Sequence, residues 1–285
     1  MKILIVDGPG SQPESYARVL ARALHDLGHV IIVHPQRETG SSWPARHRFR
    51  KHAVETLKIH QPDVVHVIAR DPWVVDAFAG RGVPVIHTGE GKIGRADWSV
   101  VATKAALNEA AGTGEGLEVR LGRLPFAAEP SADPDLYGSY ALALAPQGDA
   151  AAEAWLDETA WKVPYVPFRR DGDPAEARFV LAMASTTAAW PSGISDAMAA
   201  GRPVIATWAG AGQDLVLEGV TGFLSAPGDT LSLAAHVAWL WDHPEDALRM
   251  GVEGLKHARE LFCPADHAKT LLRWYLRAGV SRMAV

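Results

Sequence analysis

The chain has 285 residues, enough for two moderate domains. Apolar residues make up 48% and charged residues 21%, which supports a real core and excludes a disordered chain. The net charge is −5, from 28 basic and 33 acidic side chains, and this argues against a nucleic-acid coat or a strongly basic membrane-surface patch.

Met1 and Lys2 lead directly into Ile3-Leu4-Ile5-Val6, a run too short and too early for a secretory leader. Residues 2–6 instead predict a buried strand, and the glycine-containing stretch 7–13 predicts a loop. A helix over 14–27 follows, with Tyr16, Val19, Leu20, Ala23 and Leu24 at helical spacing. Residues 30–33 are the next strand, which completes a β-α-β unit opening a doubly wound sheet. The first loop lacks the full G-x-G-x-x-G fingerprint. Gly10 and Ser11 are its candidates for a phosphate contact, beside the plainer reading of a strand-to-helix turn. Residues 36–52 are basic, with Arg37, Arg46, Arg48, Arg50 and Lys51, and read as a solvated loop and helix face or as an acceptor-binding surface. Further strands are predicted at 62–68, 83–86 and 98–102.

Residues 129–135 are proline-rich and acidic, and form the best linker candidate. The second half opens on a strand at 140–145, a helix from Asp149 to about Trp161 and a strand at 163–168. Arg169 and Arg170 begin a turn, within which Asp171 and Asp173 form a D-x-D that reads as ordinary turn chemistry. The stretch 185–224 then dominates. Ser192 can cap a helix over 193–200, Gly201 suits a left-handed helix end, and Arg202-Pro203 stops the helix before a strand at 204–207. The glycine-rich loop 208–212 can bring main-chain N–H groups near a ligand, and a helix resumes after it. Helices over 231–241 and 245–261 follow. The last runs from Pro264 to Gly279, with an apolar stripe of Ala268, Leu271, Leu272, Tyr275 and Leu276. Cys263 is the one cysteine, so no internal disulfide can form, and it is expected to be buried. No apolar run reaches membrane-span length, and the expectation is a cytoplasmic protein without a transmembrane segment.

The stretch STTAAWPSGISDAMAAGRPVIATWAGAGQDLVLEGVTGFL resembles the donor-binding half of GT-B glycosyltransferases, specifically the large retaining family 4-like group. The pattern there is PS-x-x-EGFP-(x)4-EAMA-x-G-x-PVIA-(x)3-GG-x-x-E-(x)4-G-x-x-GFL. Ser185, Trp190-Pro191, Asp196-Ala197-Met198-Ala199-Ala200-Gly201, Pro203-Val204-Ile205-Ala206, Gly210, Asp214, Gly219 and Gly222-Phe223-Leu224 fall on it in one register. In the first half, 62–68 and 83–86 resemble the family's PDVVHVH and GVPVV segments, and 119–129 its R-I-x-V-I-P-N-G-V-D.

The resemblance implies an α/β chain of two Rossmann-like domains. Residues 1–130 are the acceptor-side domain, 137–262 the nucleotide-sugar donor domain, and 263–285 a terminal helix crossing back to the first domain over the junction. It implies sugar transfer from a nucleotide-sugar donor to an unknown glycan, lipid or small-molecule acceptor, without a metal or another cofactor and with retention. Asp196 stands where the family's carboxylate meets the ribose; its plainer reading is a first-turn acid facing the helix dipole. Glu90, where many relatives place a histidine, either bonds sugar hydroxyls or caps a turn. Ser192, Gly193, Gly210 and Gly212 are main-chain candidates for the diphosphate, and Asp214 is either a donor contact or a helix-start residue. The family's first glutamate is replaced by Ala188, and the matching segment 143–148 offers none of the family's cations. Arg169, Arg170 or Lys104 would have to replace them, or are surface charges. A catalytically weak relative acting as a binding or partner subunit is the alternative, and a sugar-nucleotide epimerase a more distant one.

Overall fold

The computed structural model describes residues 1–8, 14–34, 42–69, 71–89, 95–101, 120–121, 138–146, 148–185 and 192–283. Two compact units divide the chain, Met1–Ala127 with Phe262–Val285, and Ala128–Leu261. Each is an α/β unit with an all-parallel sheet.

In the first unit β1 (Lys2–Asp7), α1 (Glu14–Asp26), β2 (Val30–His34), α2 (Trp43–His60), β3 (Val64–Ile68), α3 (Pro72–Asp76), β4 (Val85–Thr88), β5 (Trp98–Val101) and β6 (Arg120–Leu121) follow in order. The six strands lie as β2-β1-β3-β4-β5-β6. Ile3 to Val6 and Val64 to Val67 have no exposed surface or almost none, as strands covered on both faces must. Within the basic stretch, the described residues from Trp43 onward lie on α2. Pro44 sits in the first turn of α2, Ala45, Phe49 and Ala53 face inward, and Gln61 ends the helix in a left-handed conformation with φ 44°.

The second unit holds β7 (Ala141–Leu144), α4 (Ala150–Lys162), β8 (Phe168–Arg169), a 3-10 turn (Pro174–Glu176), β9 (Phe179–Ala182), α5 (Ser192–Ala199), β10 (Val204–Thr207), α6 (Gly212–Leu215), β11 (Gly222–Ser225), α7 (Thr230–Asp242) and α8 (Pro244–Leu261). Its sheet order is β11-β10-β9-β7-β8. Ala143, Leu156, Phe179, Leu181, Ile205, Val237 and Met250 share one core. The strand expected over 163–168 is mostly a turn instead. Val166 N–H donates to Val163 O at 3.0 Å, and only Phe168 and Arg169 join the sheet. Asp171-Gly-Asp173 is a turn as read, and Asp173 accepts Ala175 N–H at 2.9 Å to cap the 3-10 helix. Gly201 does take the left-handed conformation, φ 69°.

The last helix, α9 (Pro264–Met283), belongs to the first unit and packs on α1 and β4. Ala268, Leu271, Trp274, Tyr275 and Ala278 are buried, whereas Leu276 is exposed, so the stripe runs through Trp274 rather than Leu276. A buried polar chain supplements it. Tyr275 Oη lies 2.5 Å from His66 Nδ1, His66 Nε2 lies 2.7 Å from Thr88 Oγ1, and Tyr16 Oη lies 3.0 Å from His267 Nε2. Burial drives the His66 and His267 pKa values down to about 3, so both rings are neutral. Cys263 is only half-buried, at the turn before α9, which corrects the expectation of a core thiol.

Candidate functional site

The carboxyl edge of the second sheet carries the loops that parallel α/β folds use for ligands. α5 opens at Ser192 itself, one residue earlier than the sequence suggested. Gly193 places the helix start against the end of β7, where a Cβ would stand 2.8 Å from Leu144 Cδ1. The first turn of α5 contains no acid, whereas α4 and α7 each begin on an aspartate. Asp149 accepts Ala152 N–H at 3.0 Å, and Asp229 accepts Ser232 N–H at 3.0 Å.

Asp196 is one turn further in and mostly buried, so it is not a first-turn acid and the helix-dipole reading loses its geometry. Burial, and then the charge of Asp173, push its carboxyl up to about 6. The 3-10 turn that Asp173 caps packs against α5. A carboxylate held there costs the fold free energy.

After β10 the loop turns through Gly210, φ 57°, and α6 begins at Gly212, where a Cβ would overlap Thr207 O. α5 and α6 are in contact, so Gly193, Asp196, Gly210, Gly212 and Asp214 lie on neighbouring elements. Asp214 sits within the four-residue α6, partly buried. Arg169 and Arg170 have partners within their own unit. Arg170 pairs with Asp157 at 2.5 Å and Glu153 at 3.3 Å on α4, and the Arg169 guanidinium stacks 4.4 Å over the Tyr140 ring. Gly10, Ser11, Glu90 and Lys104 lie outside the described residues, as does Ala188.

Two residues that the sequence did not single out tie the edge together. Asp149 accepts Ser185 N–H at 2.8 Å and Ser185 Oγ–H at 2.6 Å. These bonds and the α4 main-chain N–H groups hold its carboxyl below the usual range, against a burial effect that pushes the other way. Thr207 Oγ1 donates to Ala184 O at 2.8 Å and accepts Ala184 N–H at 3.1 Å. In the sequence Asp149 reads only as the start of a helix; the bond to Ser185, 36 residues on, leaves no local pattern. Among the described residues no group of three or more His, Cys, Asp or Glu is placed to hold a metal ion, and no helix is long and apolar enough to cross a membrane.

Residues 144–243 match the family described as Glycosyl transferases group 1. No curated protein matches the chain by sequence. Among solved structures, Anabaena HepE in complex with UDP-glucose is similar at TM-score 0.69 and 12% identity, over 96% of this chain and 98% of that one. Sucrose-phosphate synthase from Thermosynechococcus elongatus is similar at TM-score 0.70 and 14% identity, over 99% and 100%. AviGT4, a glycosyltransferase involved in avilamycin A biosynthesis, is similar at TM-score 0.67 and 19% identity, over 99% and 98%. At these identities the likeness establishes a shared two-domain α/β fold.

Proposed function

With a group 1 glycosyltransferase domain over residues 144–243 of a GT-B chain, we propose that the protein moves a sugar from a nucleotide-sugar donor to an acceptor, with retention and without a metal. One observation carries the assignment to this edge: α5, which carries Asp196, packs against α6, so the start of α5 and the glycine turn at 210–212 lie together after β9 and β10. Two ribose hydroxyls are natural donors to the Asp196 carboxylate, and bonding them would offset its burial. The diphosphate is taken by main-chain N–H groups at the start of α5 and around Gly210 to Gly212, where a helix start and a turn present donors to developing negative charge. Asp196 does not move a proton in this scheme; the leaving phosphate accepts the one from the incoming hydroxyl.

The experiment is calorimetric titration of uridine, guanosine and adenosine diphosphates into the wild type and Asp196→Asn. The matched nucleotide is expected to bind the variant more weakly by about 1–3 kcal/mol, the worth of hydrogen bonds to a charged group. Equal affinities would remove Asp196 from the site. The engagement of Arg169 and Arg170 with Tyr140 and with α4 favours a second reading, a nucleotide-binding relative with weak catalysis. Transfer or slow donor hydrolysis by the purified protein separates the two.

A further inference from the structure

The residues that leave β9, Ala184 and Ser185, are stitched to the end of β10 and to the start of α4 by side chains that no binding role accounts for. The dipeptide Ala184-Ser185 leaves β9 with both polar main-chain groups of Ala184 and both donors of Ser185 engaged. Thr207, only 1% exposed, uses one hydroxyl to accept Ala184 N–H and to donate to Ala184 O. Asp149 receives Ser185 N–H on one oxygen and Ser185 Oγ–H on the other, while also capping α4. Met183 N–H donates to Leu144 O at 2.9 Å, and Trp208 N–H to Ser225 O at 2.8 Å, which carry the same tie out to β7 and β11.

Valine has nearly the outline of threonine and would fill the Thr207 site. The hydroxyl therefore serves the bonds and not the packing. Likewise a serine would cap α4 as well as Asp149 does, but it lacks the second oxygen and the reach to hold Ser185. Both side chains exceed what their local element needs, and both spend the excess on the same dipeptide.

We infer that Asp149 and Thr207 are positioning residues, which lock the exit of β9 at Ala184-Ser185 to the end of β10 and to the start of α4. Main-chain donors then meet a diphosphate already in place, rather than being ordered by it. Thr207 directly precedes the loop that holds Gly210 and Gly212, so its tie to Ala184 fixes where that loop starts. The inference rests on the donor-site reading above. It adds that the site's main-chain geometry depends on two side chains that touch no ligand themselves.

The test uses Thr207→Val, Thr207→Ser, Asp149→Ser and Ser185→Ala in the full chain, with two readouts. The first is affinity for uridine, guanosine and adenosine diphosphates, measured well below the melting temperature. Thr207→Val and Asp149→Ser should each weaken the best of them by about tenfold or more, while Thr207→Ser, which keeps the hydroxyl, stays within about threefold of wild type. The second is backbone amide exchange in the free protein over residues 179–185 and 205–216. It should quicken in Thr207→Val and recover in Thr207→Ser. Unchanged exchange in Thr207→Val and Asp149→Ser overturns the inference, and so does wild-type affinity in both. If the wild type binds none of the three nucleotides, the donor-site reading has failed, and the exchange result alone decides the clamp.

Discussion

Replacing Asp196 with asparagine keeps the outline of the side chain and removes its charge. The structure predicts two opposite consequences. The carboxyl ionises at about 6 in the folded chain instead of 3.8, because burial and then Asp173 disfavour the anion. Folding therefore binds a proton more readily than the unfolded chain does, and stability falls as pH rises from about 4 to about 6 and is level above. Taken at full value the displacement is worth about 3 kcal/mol; the amide must still be desolvated, so a gain of about 1–2 kcal/mol is expected for the variant. For a unit of this size that raises the melting temperature by about 3–8 °C near pH 8, and by almost nothing near pH 4. Thermal unfolding followed by circular dichroism at the two pH values is the assay. Nucleotide affinity should fall in the same variant. A melting temperature at or below wild type near pH 8, with the same difference near pH 4, would show that Asp196 is not a strained anion and would refute the reasoning. The sequence alone predicts an almost neutral effect on stability, because a first-turn acid would lose only a small helix-dipole contribution.

The polar chain beneath α9 gives further tests. Tyr275→Phe removes the hydroxyl 2.5 Å from His66 Nδ1 and leaves a buried ring nitrogen unpaired, so it should cost about 1–3 kcal/mol; an unchanged melting temperature would exclude the bond as a contributor. His66 and His267, with pKa values near 3 in the folded chain, contribute stability that is complete above about 6.5 and is lost as pH falls through the window down to about 3. Unfolding free energies from denaturant titrations at pH 7 down to pH 5 should drop by up to about 1.4 kcal/mol per pH unit for each histidine, and a flat profile would count against neutral burial. Removing residues from Pro264 onward uncovers the side of α1 that carries Tyr16 and Leu20, and should lower the melting temperature or the solubility sharply; a truncated chain that melts like the intact one contradicts the packing of α9.

Local chemistry was enough to read most of the elements. Runs such as Ile3-Leu4-Ile5-Val6 and Val204-Ile205-Ala206-Thr207 are strands because only a covered parallel sheet accepts apolar side chains on both faces. Gly201, Pro203 and Pro264 punctuate helices through backbone dihedrals that any context would impose. The family pattern over 185–224 located the candidate donor edge for the same reason, as its spacing encodes a helix start, a strand and a turn. What the sequence could not carry are pairings between residues far apart along it. His66 and Tyr275 are separated by 209 positions, Asp149 and Ser185 by 36, and no periodicity links either pair. Arg170 reads in the sequence as a surface charge or a replacement cation, and only the fold shows that α4 presents Glu153 and Asp157 to it. Asp196 reads in the sequence as a ribose-binding carboxylate or a first-turn acid, and its burial and the nearby charge of Asp173 appear only in the fold. Backbone propensity acts over a few residues and is visible in a window of sequence. Burial and charge proximity depend on which strands become neighbours, and the order β11-β10-β9-β7-β8 is fixed only when the whole sheet assembles.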